Sequence, residues 1–219
     1  MKRSSLLARQ GRQPSGLLGH LVGRIMARET EAANRIALDR LELAPTDRLL
    51  EVGFGHGRTL AAAAERVTQG RLAGVDPSEV MLSIARRRNA KLLRAGRLEL
   101  VLGSSERLPF GDGAFNKLLS VHTIYFWSDP ARDLAELHRV TATGGRLVIG
   151  FRRGEDPGFA RDFLPEVYHM RSTEEIERAV SAAGFTDVET VTQSMGKALM
   201  AWTMARKIVS QRLNSGGGA

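Results

Sequence analysis

The sequence predicts one α/β domain built on a doubly wound, seven-stranded sheet. Apolar segments of strand length alternate with helix-forming segments through the middle of the chain, which is typical of a parallel sheet. A glycine-rich turn follows the first of these strands, and the last third reads as one helix and two adjacent strands. The length of 219 residues and the 42% hydrophobic content fit one such domain with a modest addition.

The N-terminal segment precedes the first strand and has a helical pattern. From Ser15 to Leu43 apolar residues recur at helical spacing, which predicts one or two amphipathic helices. We assign residues 1–44 to a helical lid or cap. It either covers the sheet, closes over a bound small molecule, or does both.

The first strand, Arg48 to Val52, runs into the glycine turn, and a helix begins at Arg58. A dinucleotide fold usually has G-x-G-x-x-G at this place, whereas here the third glycine comes one residue early. Glu51 stands immediately before the turn, where a carboxylate is a poor neighbour for a pyrophosphate. It suits a ligand with a cationic group better.

The remaining strands follow in order. The second strand, Arg71 to Asp76, ends in an acid at about the distance, roughly 20 residues, at which nucleotide folds bind ribose hydroxyls. Strands are also predicted at 98–102, 117–121 and 146–151, with a helix from Asp129-Pro130 to about Val140 and a turn at 143–145 before the fifth strand.

The last third predicts a capped helix and a closing hairpin. Ser172 and Glu175 fit a capping box, and Ala183-Gly184 ends that helix. Strands at 187–193 and 197–206 are joined by a turn at 194–196. The main domain is therefore placed at residues 45–208, and residues 209–219 are predicted to be a flexible tail.

Five segments in the same order carry a resemblance to a known family. They are Glu51 with the glycines to Gly57, Asp76, the run Asp76-Pro77-Ser78-Glu79-Val80-Met81-Leu82, the run Leu108-Pro109-Phe110-Gly111-Asp112-Gly113-Ala114-Phe115, and Gly144-Gly145-Arg146-Leu147-Val148-Ile149. Together they resemble the class I S-adenosylmethionine-dependent methyltransferases, in the ubiquinone/menaquinone C-methyltransferase-like (methyltransferase type 11) branch, over residues 45–151. The resemblance implies a Rossmann-like sheet with an antiparallel closing hairpin, S-adenosylmethionine as cofactor, S-adenosylhomocysteine as product, and no metal.

The resemblance also implies the cofactor-binding residues. Glu51 and the turn hold the methionine end, Asp76 holds the ribose, and Met81 either packs on adenine or is a core methionine. The family often has G-D-A, with an acid for the adenine amino group, where this chain has Gly103-Ser104-Ser105; a serine is the weaker acceptor. The complete set is Glu51, Gly53, Phe54, Gly55, Gly57, Asp76, Pro77, Met81, Ser104, Ser105 and Ser120.

The acceptor side is predicted from the segment Ser120 to Trp127, where three aromatic residues cluster. His122 is the candidate catalytic residue; it either deprotonates the acceptor or packs beneath the cofactor. His20 and Tyr125 are candidate substrate-binding residues. Amino-methylating enzymes for DNA and RNA often carry [D/N/S]-P-P-[Y/F] here, and Ser120-Val121-His122-Thr123 does not resemble it. This favours a small-molecule acceptor methylated on carbon or oxygen, such as a quinol, a phenol or a lipid.

Charge and composition bear on partners and location. The net charge of +8 fits either attraction to nucleic acid or anionic membranes, or a solvated arginine-rich surface. The densest cluster, Arg86 to Arg88, has no interleaved aromatic residues, which favours the solvated surface, argues against nucleic acid and leaves peripheral membrane contact open. No apolar run has the length of a membrane span, cysteine is absent, and a cytoplasmic location is predicted. A homodimer through the N-terminal helices is left open.

Two alternative functions compete with methyl transfer. An NAD(P)-dependent oxidoreductase is disfavoured by the position of the third glycine and by the acid before the turn. A non-catalytic S-adenosylmethionine-binding or nucleic-acid-binding protein is supported only by Ser104 and the positive charge.

Overall fold

The computed structural model describes residues 30–163, 167–196 and 198–208. The elements in chain order are α1 (Glu31–Leu41), β1 (Arg48–Val52), α2 (Arg58–Arg66), β2 (Arg71–Asp76), α3 (Glu79–Arg88), α4 (Ala90–Arg94), β3 (Leu98–Leu102), β4 (Phe115–Val121), a 3₁₀ turn (Ile124–Phe126), α5 (Pro130–Val140), β5 (Thr141–Arg152), α6 (Pro157–Asp162), α7 (Thr173–Ala182), β6 (Thr186–Met195) and β7 (Ala198–Arg206).

The described residues form one seven-stranded sheet in the order β3-β2-β1-β4-β5-β7-β6. The first five strands are parallel, and β7 pairs antiparallel with both β5 and β6. The predicted α/β, doubly wound sheet with an antiparallel closing hairpin is therefore confirmed. β1 is buried along all but its first residue, because a central parallel strand has both faces covered by helices.

Two apolar cores lie on the two faces of the sheet. One combines alternate residues of β1 and β4, such as Leu50 and Leu118, with α5 and α7. The other combines Leu49 and Leu119 with α1, α2 and α3. Side chains alternate along a strand, so Glu51 lies on the same face as Leu49, beneath α1 and α2.

Helix α1 belongs to the segment predicted as a cap, and it covers the sheet. Its buried residues are Ala33, Ala37, Leu38 and Leu41. The indole N–H of Trp202, a fully buried residue of β7, donates to the Ala33 carbonyl oxygen at 3.2 Å. The Lys117 ammonium donates to the carbonyls of Leu41 and Glu42, which end the helix. Residues 1–29, which include His20 and most of the predicted lid, and residues 209–219 lie outside the described ranges.

Asn116 and Arg139 fix the surroundings of the motif at 108–115. Asn116 donates to Asp47 at 2.7 Å and accepts the Arg48 N–H at 2.8 Å. It therefore joins the amino ends of β1 and β4 and lies far from the carboxyl ends of these strands. Arg139 donates to the Leu108 and Phe110 carbonyls and fixes the loop that the motif at 108–115 forms.

Strands β5 and β6 differ from the sequence prediction at their starts. α5 ends at Val140 as predicted, but β5 begins at once at Thr141, not at Arg146. The expected turn at 143–145 becomes an irregular strand start, because the pairing with β4 shifts between Phe115 and Lys117. β6 has a similar irregularity between Thr186 and Glu189, where Asp187 adopts a φ of 51°. Within the described ranges, no helix is long and apolar enough to cross a bilayer.

Candidate active site

The candidate site lies where the order of the parallel strands reverses, between β1 and β4. From β1 the sheet extends through β2 to β3 on one side, and from β4 through β5 on the other. Ligands of open α/β sheets bind outside the carboxyl ends of the strands at such a point. A cavity of about 270 Å³ is found there, lined by the ends of β1, β2 and β4, by the loop after β3, and by Thr30 and Asn34 at the start of α1.

Glu51 is the most unusual group in the cavity wall. Its side chain is 3% exposed, and among the described residues its Oε2 atom has no hydrogen-bond partner. Burial raises the pKa of this carboxyl well above its usual value, a hydrogen bond from Thr59 opposes that shift, and the nearby Asp76 charge adds to it. A buried, half-satisfied carboxylate costs free energy, so a cationic ligand group beside Oε2 would be strongly stabilising.

The glycine turn carries the backbone around this carboxylate. Gly53 has a φ of 77°, and a Cβ there would lie 2.1 Å from the Thr123 Cγ2 atom. Gly55 has a φ of 50°, donates its N–H to Asp76 at 2.8 Å and faces open space. Gly57 lies outside the cavity wall. Its carbonyl accepts from the Asn89 amide, so its role in this structure is close packing of α2 against α3.

Asp76 ends β2 and faces the same cavity. One carboxylate oxygen accepts the Gly55 N–H, and the other accepts the Ser78 N–H at 2.9 Å. Burial raises the pKa of this carboxyl, and the two backbone hydrogen bonds partly oppose the shift. Each oxygen keeps a further lone pair for a ligand hydroxyl. Pro77 and Met81 line the cavity beside it, and Met81 is 4% exposed, so it is both a cavity and a core residue.

The loop after β3 brings in an acid that sequence reasoning missed. Ser104 is exposed, whereas Ser105 is buried and donates its hydroxyl to the Asp133 Oδ1 atom. Asp133 comes from the first turn of α5 and lines the cavity. One feature of the sequence could have indicated Asp133. It is an acid on the otherwise apolar face of α5, at helical spacing from Leu137 and Val140.

His122 stands at the opposite side of the cavity. Its φ is 60°, and its Nδ1 atom lies 3.2 Å from the Tyr125 hydroxyl. That hydroxyl also accepts the Arg152 backbone N–H, and the tautomer of His122 decides which of its ring nitrogen and the Tyr125 hydroxyl is the donor in their hydrogen bond. Burial, with the Arg152 charge, lowers the pKa of His122 to about 4, which makes it a weak base.

Two residues predicted near His122 lie behind the cavity wall. Tyr125 is 5% exposed and is held by His122 and Arg152. Ser120 is fully buried, and its hydroxyl is hydrogen-bonded to the Thr123 hydroxyl. Phe126 and Trp127 do line the cavity, as part of the predicted aromatic wall.

The structure thus brings most of the predicted site residues together. The cavity wall contains Glu51, Gly53, Phe54, Gly55, Asp76, Pro77, Met81, Ser104, Ser105 and His122, whereas Gly57, Ser120 and Tyr125 lie outside it. It also contains residues that the sequence did not single out, namely Thr30, Asn34, Thr59, Glu106 and Asp133. Among the described residues, no group of three or more His, Asp or Glu side chains is placed to hold a metal ion.

Comparisons with known proteins agree on one kind of enzyme. A family model described as a methyltransferase domain matches residues 50–149. The chain is 28% identical over 187 residues to the uncharacterized methyltransferase YdaC of Bacillus subtilis, covering 85% of this chain and 98% of that protein. It is 30% identical over 152 residues to the putative methyltransferase YrhH of the same organism, covering 68% and 83%.

A further relative and a solved structure extend this result. The ubiquinone/menaquinone biosynthesis C-methyltransferase UbiE of Geotalea daltonii is 31% identical over 116 residues, which cover 52% of this chain and 49% of that protein. The crystal structure of an S-adenosylmethionine-dependent methyltransferase from Aquifex aeolicus superposes with a TM-score of 0.67 at 23% identity. That likeness covers 80% of this chain and 89% of the other, and it concerns the fold.

Proposed function

Because this chain belongs to the class I S-adenosylmethionine-dependent methyltransferases, we propose that it methylates a carbon or oxygen atom of a small aromatic acceptor. The membership gives no support to the two alternatives, an NAD(P)-dependent oxidoreductase and a non-catalytic protein. A cytoplasmic location and a homodimer stay predictions.

The observation that carries the cofactor assignment is the unsatisfied Oε2 atom of Glu51. A buried carboxylate oxygen without a partner fits the ammonium group of S-adenosylmethionine, and Asp76 fits the ribose hydroxyls. The missing Cβ atom at Gly55 leaves room for a ligand against the backbone, whereas at Gly53 that space is occupied by the Thr123 methyl group. When bound, the cofactor supplies an electrophilic methyl group on a sulfonium sulfur.

The chain's own contribution is to position the acceptor and to exclude water. Alignment of reacting groups in a closed site is worth about 7–11 kcal/mol of a reaction barrier. Phe126 and Trp127 supply flat apolar surface on the acceptor side, which suits a phenol or quinol ring. The name of the relative UbiE, which refers to quinone biosynthesis, supports the same acceptor class.

We propose that His122 holds the acceptor and does not deprotonate it. In the tautomer whose Nδ1 accepts from the Tyr125 hydroxyl, the Nε2–H is available as a hydrogen-bond donor. A pKa of about 4 leaves the ring neutral at physiological pH. A donor placed this way would hold the oxygen of a phenol or quinol.

Calorimetric titration with S-adenosylhomocysteine and with NADH tests the proposed function. We expect micromolar binding of the first ligand, none of NADH, and at least a tenfold loss of affinity in Asp76→Ala, which removes a charged hydrogen-bond acceptor. Glu99→Ala, an exposed acid in β3, is the matched control and should bind like the wild type. Binding of NADH alone, or undiminished binding by Asp76→Ala, would contradict the assignment.

The role of His122 is tested with whichever phenol, quinol or lipid accepts a methyl group in a mass-spectrometric screen. His122→Gln, which keeps an N–H donor, should retain more kcat/KM than His122→Leu. Any inflection of kcat/KM near 6.5, the unperturbed pKa of histidine, should be the same in the wild type and in His122→Gln, because the pKa of His122 is about 4. Equal losses in both variants, with an inflection near 6.5 that disappears in both, would identify a general base instead.

A further inference from the structure

Asp133 is a buried acid whose hydrogen bonding is incomplete. Its side chain is 1% exposed, on the first turn of α5 behind the N-cap residue Asp129. Oδ1 accepts the Ser105 hydroxyl, and Oδ2 has no partner among the described residues. A buried carboxylate oxygen in a cavity wall needs a donor, and the cavity is where a ligand donor would come from.

The strand order assigns Asp133 to one end of the cavity. Glu51, Asp76 and Ser105 follow from β1, β2 and β3, which are consecutive in the sheet. Gly103 donates its N–H to the Asp76 carbonyl, so the loop after β3 lies directly beside the end of β2. A ligand with its ammonium at Glu51 and its ribose at Asp76 therefore extends its base toward Ser105 and Asp133.

The Ser105 hydroxyl donates its proton to Asp133 and keeps its oxygen lone pairs, so both residues offer an acceptor at this end, and the two acceptors differ in strength. The exocyclic amino group of adenine is a hydrogen-bond donor, and a carboxylate is a stronger acceptor for it than a hydroxyl. Asp133 in α5 thus provides a carboxylate at this end of the cavity, where the loop segment Gly103-Ser104-Ser105 has none. Burial raises the pKa of Asp133 to about 6, and the Ser105 hydrogen bond opposes the shift, so the group is mostly ionised at pH 8.

We propose, resting on the proposed function, that the Asp133 carboxylate binds the adenine amino group of the cofactor and selects a 6-amino over a 6-oxo purine. Ser105 is the positioning residue that orients this carboxylate. The competing explanation is purely structural: the Ser105–Asp133 contact only fixes the loop at 103–106 to α5.

The experiment compares two ligands that differ at one purine position. S-adenosylhomocysteine and S-inosylhomocysteine are titrated at pH 8 into the wild type, Asp133→Asn, Ser105→Ala and Asp129→Asn. The wild type should prefer the 6-amino ligand at least tenfold, and Asp133→Asn should reduce that preference about tenfold or more. Ser105→Ala should reduce it less. Asp129→Asn is the control. It removes one negative charge from the exposed N-cap residue of α5 and should leave the preference for the 6-amino ligand unchanged.

The outcomes separate the two proposals. If Asp133→Asn weakens both ligands by the same factor and keeps the preference, Asp133 only fixes the loop and the inference is overturned. If it retains wild-type affinity for both ligands, the inference is overturned as well. If the wild type binds neither ligand, the proposed function itself fails. Thermal unfolding of each variant shows whether it is folded at the temperature of titration.

Discussion

Replacing Glu51 by Gln is expected to weaken binding of S-adenosylhomocysteine by roughly 100-fold, or about 3 kcal/mol. The variant removes the buried charge that would face the ligand's ammonium group, while the side-chain shape is kept. The same change should raise the free energy of unfolding of the ligand-free protein, because a buried carboxylate with an unpartnered oxygen is replaced by a neutral amide. Calorimetry and urea unfolding measure the two effects.

The raised pKa of Glu51 makes both the stability of the ligand-free protein and its affinity for the ligand depend on pH. Below the unfolded-state pKa the carboxyl is protonated in both states, and its full contribution to stability is present. As the pH rises through the folded-state pKa this contribution is lost, and Glu51→Gln should lack the loss. Affinity for the ligand should rise over the same range. Glu65→Gln, an exposed acid on α2, is the control; equal affinity of Glu51→Gln and wild type would contradict the prediction.

Replacing Gly53 by Ala is expected to destabilise the fold by about 2–5 kcal/mol and to abolish measurable ligand binding. A left-handed backbone costs about 1–2 kcal/mol for a residue with a Cβ, and overpacking adds about 1–3 kcal/mol. The new methyl group would lie 2.1 Å from the Thr123 Cγ2 atom, so Thr123 or the turn must move. Urea unfolding measures the first effect and calorimetry the second.

Two further variants separate strain from overpacking. Gly96→Ala has a similar φ of 65° but open space around the new Cβ, so it should show the backbone cost alone. Adding Thr123→Ser to Gly53→Ala removes the clashing methyl group. The double variant should recover the unfolding free energy lost to overpacking but not that lost to the left-handed backbone. A Gly53→Ala protein as stable as the wild type would refute the geometry of this turn.

The order of strands and helices could be predicted because local patterns determine it. Each parallel strand is an apolar run, and the helix starts at Asp129 and Ser172 have capping residues that work within one turn. The start of β5 could not be predicted, since Gly144-Gly145 is typical of a turn and only pairing with β4 extends the strand to Thr141. Strand ends depend on the neighbouring strand as much as on their own residues.

The site was predictable where residues lie at the carboxyl ends of strands, as Glu51 and Asp76 do. Asp133 was missed because it reaches the cavity from within α5, and its contact with Ser105 joins segments distant in the chain. Tyr125 and Ser120 were placed in the site because they adjoin His122 in sequence. Their side chains instead point into the protein, where they support the wall.

The edges of the sheet restrict how a second copy of this chain could bind. Among the described residues β6 pairs with β7 alone, and its irregular start at Thr186 to Glu189 places charged residues on an exposed strand. At the other edge, β3 is five residues long and carries the exposed Glu99. Short, irregular or charged edge strands resist pairing with another sheet. A dimer of this protein is therefore expected to form through its helices, with the two sheets remaining separate.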